Sequence, residues 1–177
     1  MNVWVAALAV IAAVNAPRRR AAVPQPIAPA VAVTGAAVSW LAIVVAAAVS
    51  GPLLDALAVS APNIQIAAGL VLLVRAIVDA ATPPGHEPAR LDGRWQALVP
   101  VAFPLLIRPE VALLALAAGA ELGVARAVAI AAPAYLAAAV ALAVWRGERA
   151  ARTVGVVLSV MGVAAAVDLV IDGVLAV

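Results

Sequence analysis

The stretch Pro100–Glu110, P-V-A-F-P-L-L-I-R-P-E, constrains this chain more than any other part of it. It interrupts an apolar run from Ala97 to Ala118 that is long enough to cross a bilayer. Pro104 and Pro109 each withhold a backbone N–H, so a helix through them must kink or break. Arg108 and Glu110 flank Pro109. Ionisable side chains at such a depth cost several kcal/mol unless they face protein or water. Any fold for this sequence therefore needs somewhere to bury a broken, charged helix.

The surrounding chain says what kind of fold that is. Of its 177 residues 67% are hydrophobic and only 11% charged, against roughly a quarter charged in soluble domains. Apolar runs of bilayer length recur along it, so it reads as an all-α, multi-pass membrane protein whose first partner is the lipid bilayer. Alanine is abundant and aromatics are scarce, which suits closely packed membrane helices. All eleven basic residues are arginine, yet the net charge is only +2. No basic patch is interleaved with aromatics, which argues against nucleic acid as a partner. Absent cysteine excludes disulfides and thiolate metal sites.

Six segments are expected. The first, Asn2 to Ala16, has an apolar part of about 15 residues, or roughly 22 Å, and ends in N-A-P-R-R-R (15–20). It has no positive n-region, and Pro17 disfavours signal cleavage, so it is kept in the fold. Two readings of its end stay open. One is a short helix with an interfacial arginine cluster. The other is a helix stopping partway across, with Asn15 and freed backbone groups facing a cavity. A proline-spaced stretch, Val23 to Pro29, is expected to be extended. The second segment is Val31 to Leu54, with Thr34, Ser39 and Ser50 able to bond back to their own helix. The third is Ile64 to Ala81, where Arg75 and Asp79 share a face at a spacing of four. A polar linker, 82–94, contains the single histidine, His86, with no ligand set around it. The broken fourth segment follows, then a tight loop from Gly119 to Gly123. The fifth segment is Val124 to Trp145, and a basic loop occupies Arg146 to Arg152. The sixth is Thr153 to Val174, with Asp168 and Asp172 near its end. Eight arginines fall on the first, third and fifth connections, and Arg126 lies beside the fourth. The positive-inside rule then puts both termini outside and the odd connections in the cytoplasm.

The halves overlay at an offset of about 92 or 93 positions. Pro17 falls on Pro109, Gly69 on Gly162, Val74 on Val167, Arg75 on Asp168 and Asp79 on Asp172. Repeat one is then 1–81 and repeat two 95–177, within a single transmembrane domain. Three spans per half make the repeats inverted, with the first and fourth helices broken. Inverted repeats with discontinuous helices at equivalent positions point to a transporter whose site lies near the bilayer midplane.

Counting along the segments puts Arg108 and Glu110 roughly 18 to 21 Å from the start of the fourth. Arg75 and Asp168 come out at similar depth. Pairing of Arg75 with Asp168, or of Arg108 with Glu110, around a polar cavity is expected. The competing reading is an ion pair that only holds the repeats together. Asn15, Pro17, Arg108, Pro109 and Glu110 are the candidate solute-binding positions, with Arg108 meeting an anionic group. Arg75, Asp79, Asp168 and Asp172 are candidates for ion pairing or proton coupling. Glu110, Asp168 or Asp79 would take the proton, as carboxyl groups in poorly solvated sites can. No H-E-x-x-H, G-x-S-x-G or P-loop occurs, so no enzyme, metal or cofactor is expected. A non-transporting scaffold of the cell envelope is the alternative.

Several of these stretches resemble one family. P-N-I-Q-I-A-A-G-L-V-L-L-V-R-A-I-V-D-A (62–80) resembles the third helix of the MarC family of integral membrane proteins, with its A-G-G-x-L-L-x-x-x-A pattern. V-P-V-A-F-P-L-L-I-R-P-E (99–110) is similar to that family's P-L-A-x-P-L-x-x-G-P-G motif, and N-A-P (15–17) to its N-P-x-G break. M-G-V-A-A-A-V-D-L-V-I-D-G-V (161–174) resembles its last helix. The resemblance implies six spans, membership of the LysE-type transporter superfamily and, for some members, neutral amino-acid transport. The chain is read as lying in the cytoplasmic membrane, with self-association left open. The family's G-P-G is R-P-E here, and three arginines follow the first break.

Overall fold

The computed structural model describes residues 1–22, 27–82, 93–144 and 147–177. Among these residues the secondary structure is helical throughout, without strands. The α-helices are α1 (Val3–Val14), α2 (Ala16–Ala22), α3 (Pro29–Ala56), α4 (Ala61–Ala81), α5 (Pro109–Leu122), α6 (Val124–Val144) and α7 (Glu148–Leu175). A 3-10 turn, Gly93–Ala97, and an irregular helical stretch, Leu98–Leu106, precede α5. Four helices are long and apolar enough to cross a membrane: α3, α4, α6 and the Arg149–Leu175 part of α7. Counting Trp95–Leu106 with Pro109–Leu122 as one bent span makes five.

Both expected breaks occur. Asn2 caps α1 through its side chain, which accepts from the Trp4 N–H at 2.9 Å. The helix ends when Asn15 adopts the left-handed conformation, φ 40° and ψ 52°. Asparagine is one of the few side chains that tolerates it. Pro17 then sits in the first turn of α2, where its missing N–H costs nothing. In the second break, Val99 and Phe103 have extended φ/ψ inside Leu98–Leu106, and Phe103–Pro104 is a cis peptide. Arg108 is extended and Pro109 opens α5, bending the chain by 74°.

Other boundaries differ from expectation. Gly119 is not in a loop: α5 runs to Leu122, and Gly123 alone (φ 82°) makes the turn into α6. A side chain on Gly119 would run into Ala47 of α3, 2.5 Å from its carbonyl oxygen, so this glycine serves helix packing. The basic loop is also shorter than expected, because α7 already begins at Glu148. Val23 to Gln25, Pro26 and most of the 82–94 linker, including His86, lie outside the described residues.

The helices pack as an alanine-rich bundle. α4 and α7 make the most extensive contact, followed by α3 with α6 and α5. α1 and α2 lie across α7 and α6. α4 and α7 are antiparallel: Gly69 sits against Ala166 and Leu169, Gly162 against Ala76, and Gly173 against Pro62 and Ile66. At Gly69 a β-carbon would approach the Ala166 carbonyl to 2.9 Å, so the absent side chain lets the backbones close. Gln65 is buried and donates to the Leu169 carbonyl at 3.1 Å, tying the same pair. Ser39 and Ser50 do bond back to Gly35 and Ala47 of their own helix, each at 2.8 Å. Large apolar side chains cover the outside, among them Leu41, Val74, Leu136, Val140 and Val160. Such a surface on every long helix fits a multi-pass membrane protein.

Candidate functional site

The two breaks deliver their charges to one place. Asp79, in the last turn of α4, is buried, and four arginines converge on its carboxylate. Arg19 Nη2 lies 2.9 Å from Oδ2, Arg75 Nη2 3.0 Å from Oδ1, and Arg18 Nε 3.3 Å from Oδ1. Arg108 Nη1 is 3.8 Å from Oδ2. The same Arg108 nitrogen lies 3.2 Å from Oε1 of Glu110, and Arg75 Nε reaches that oxygen at 4.0 Å. Glu110 is 2% exposed, so both acids sit beneath the guanidinium groups. Arg75, with its side chain 36% exposed, is the most open member of the group.

Local structure explains how each arginine gets there. Asn15 is fully buried, and its Nδ2 donates to the Gly155 carbonyl (2.9 Å) and to Ser159 Oγ (3.0 Å), pinning the first break to α7. α2 then starts against α7. A β-carbon on Gly155 would meet the Arg18 Cβ at 2.9 Å, so glycine there admits the Arg18 backbone. Arg18 also donates to the Thr82 carbonyl at 2.6 Å, satisfying a carbonyl at the end of α4 where a cation is favoured. Arg108 is the N-cap of α5 and makes no side-chain capping bond. Glu110, in the first turn of α5, is placed favourably for the helix dipole. Tyr135, buried on α6, donates to the Leu106 carbonyl at 3.3 Å, one of the groups that the second break withholds from regular helix bonding.

Of the positions expected from sequence, Arg75, Asp79, Arg108 and Glu110 come together, with Pro109 between the last two. Asn15 and Pro17 build the break beside them. Asp168 and Asp172 do not join. Asp168 is exposed on α7, level with Gly69, which is about 15 Å along α4 from Asp79. The expected Arg75–Asp168 pair is therefore replaced by Arg75 with Asp79 and Glu110, because the spacing of four on α4 and the second break bring those acids closer. Arg108 and Glu110 do pair. Arg18 and Arg19, counted from sequence with a cytoplasmic connection, are buried in the cluster instead. Their signal was the run N-A-P-R-R-R, in which the arginines follow directly on the break. Gly155, Ser159 and Tyr135 carried no sequence signal that singled them out.

The geometry is a carboxylate pair enclosed by an excess of guanidinium groups at the meeting of two interrupted helices. Among the described residues no group of His, Cys, Asp and Glu could hold a metal ion. An apolar recess on α6, lined by Leu136, Ala137, Val140, Ala141 and Val144, contains no member of the cluster. No family model, curated protein or solved structure matches this chain.

Proposed function

We propose that the chain is a secondary transporter of a small polar solute in the cytoplasmic membrane. It would have six spans in two inverted repeats and both termini outside. α1 with α2 would be the first span and the bent pair the fourth. The observation that carries this reading is the cluster itself: six ionisable side chains from α2, α4 and α5 gathered where two helices are broken. Intramembrane charges mark solute and proton paths by default, and discontinuous helices are where transporters place them.

The α4–α7 contact supports the inverted repeat. The offset of about 93 that turns Gly69 into Gly162 also turns Ala76 into Leu169. Gly69 touches Leu169, and Gly162 touches Ala76. Each contact is thus the image of the other, as a two-fold axis between two antiparallel helices requires. The correspondence stops at the charges, since Arg75 and Asp79 are in the cluster whereas Asp168 is exposed and Asp172 half-buried.

In this mechanism Arg108 and Arg75, the more open arginines, meet the solute. Asp79 or Glu110 exchanges a proton as the arginines shift between acid and solute. The resemblance to the MarC family suggests a neutral amino acid as the cargo. Uptake or efflux of labelled amino acids by purified protein in proteoliposomes tests the reading, with a proton gradient imposed and then collapsed. Flux that ignores the gradient removes the coupling step. A second reading, a scaffold of the cell envelope, is favoured by the burial of both carboxylates beneath their partners. Absence of flux for any solute, from protein that stays folded in the vesicles, would select it.

A further inference from the structure

The cluster is not electrically balanced. Among the described residues, four arginines share two carboxylates, leaving two positive charges in a largely buried site. Arg19 is the sharpest case. Its side chain is 9% exposed, one end is committed to Asp79, and its Nε has no hydrogen-bond partner. A buried guanidinium N–H left unmatched is costly. α5 opens at the same place with no side chain capping its N-terminal N–H groups, although Glu110 in its first turn already answers the helix dipole. Unused donors and excess positive charge converge on one place.

We propose that this place is an anion site, and that the transported solute carries a net negative charge as a carboxylate or phosphate oxyanion. This rests on the transporter reading and narrows it. A neutral amino acid brings its own ammonium group and would leave the two excess positive charges of the described residues as they are. A dicarboxylate or a phosphate cancels them and offers oxygens to several guanidinium groups, whose planar forks suit such anions. Arg19 holds the anion at the closed end of the site, while Arg75 and Arg108 admit it from the open side. Asp79 keeps Arg18 and Arg19 aimed when the site is empty.

The test is thermal unfolding of the purified full chain in neutral detergent, at constant ionic strength, with succinate, inorganic phosphate or alanine added. Succinate or phosphate should raise the midpoint in a saturable way, and the stronger of the two names the anion class; alanine should not. Arg19→Gln should weaken the effective anion about tenfold or more, as loss of a charge-assisted partner does. Asp168→Asn, outside the cluster, should leave it unchanged. Equal protection by alanine, or no protection by either anion, overturns the proposal. So does protection only by added phosphatidylglycerol, which would assign the site to a lipid headgroup. Proteoliposome flux separates this inference from the reading beneath it. Alanine flux without anion binding keeps the transporter and removes the anion site. Anion binding without flux of any solute keeps the anion site and removes the transporter.

Discussion

Neutralising Asp79 is the most direct perturbation of the cluster. In Asp79→Asn the side chain keeps its shape and its place on α4 but loses its charge. Arg18 and Arg19, both buried, lose the one carboxylate within ion-pair distance of them among the described residues, at 3.3 and 2.9 Å. Arg75 keeps Glu110 at 4.0 Å and is one-third exposed, so its share is about 1 kcal/mol or less. Arg108 keeps Glu110 at 3.2 Å. The cost therefore falls on the two α2 arginines. Removing one partner of a buried ion pair costs about 3 to 5 kcal/mol. For a chain of this size that amounts to roughly 6 to 20 °C in Tm. The assay is thermal unfolding in detergent, with limited proteolysis near α2 reporting where the structure opens. The decisive control is the double variant Asp79→Asn with Arg19→Gln, which removes the charge that the single variant strands and should recover a substantial part of the loss. A single variant as stable as the parent, or a double variant whose losses simply add, would refute the assignment of Asp79 as the hub.

The breaks and contacts yield three further expectations. Asn15→Gly keeps access to positive φ but loses the bonds to Gly155 and Ser159, whereas Asn15→Ala loses both; the alanine variant should be less stable by a further 1 kcal/mol or so in the same melt. Tyr135→Phe strips the Leu106 carbonyl of its donor and should cost about 0.5 to 1.5 kcal/mol, with protease susceptibility rising around residues 99–107. Gly155→Val places a branched side chain where Arg18 already sits, so it should expose α2 to a membrane-impermeant label on a cysteine introduced at Ala21, and an unchanged labelling rate would contradict the packing described.

The sequence made the long helices legible because nothing competes with hydrophobicity over such lengths. Segments two, three, five and six reappear as α3, α4, α6 and α7 with only their ends moved. The breaks were legible too, since Pro17, Pro104 and Pro109 act through missing donors that no tertiary contact can restore. What could not be read was direction within the bundle. Asp168 and Asp79 both lie on apolar helices at defensible depths, and only the rotation of α7 against α4 decides that one faces outward and the other inward. Helices that are apolar all round give no periodic signal for that rotation. Arg18 and Arg19 were obscured by a different rule. Arginines next to an apolar segment ordinarily report the cytoplasmic interface, and the rule does not see that a left-handed Asn15 has turned the chain back into the protein.

That turn is what connects the break to the charge. A continuous helix from Val3 to Ala22 would be about 30 Å long, enough to cross the hydrocarbon core and leave its arginines at the surface. With the break, α1 is only 12 residues, about 18 Å. Its end is held against Gly155, about 10 Å into α7 from that helix's start. Arg18 and Arg19 therefore lie on a helix packed against α6 and α7 and reach Asp79 inside the bundle. The second break works from the other side, bringing Arg108 and Glu110 to the same acid. Neither interruption is needed to bury apolar surface, since four uninterrupted helices already provide the largest contacts. Their common product is a cluster in which four arginines, two of them buried, share two buried acids, and a structural ion pair would have needed only one of the breaks.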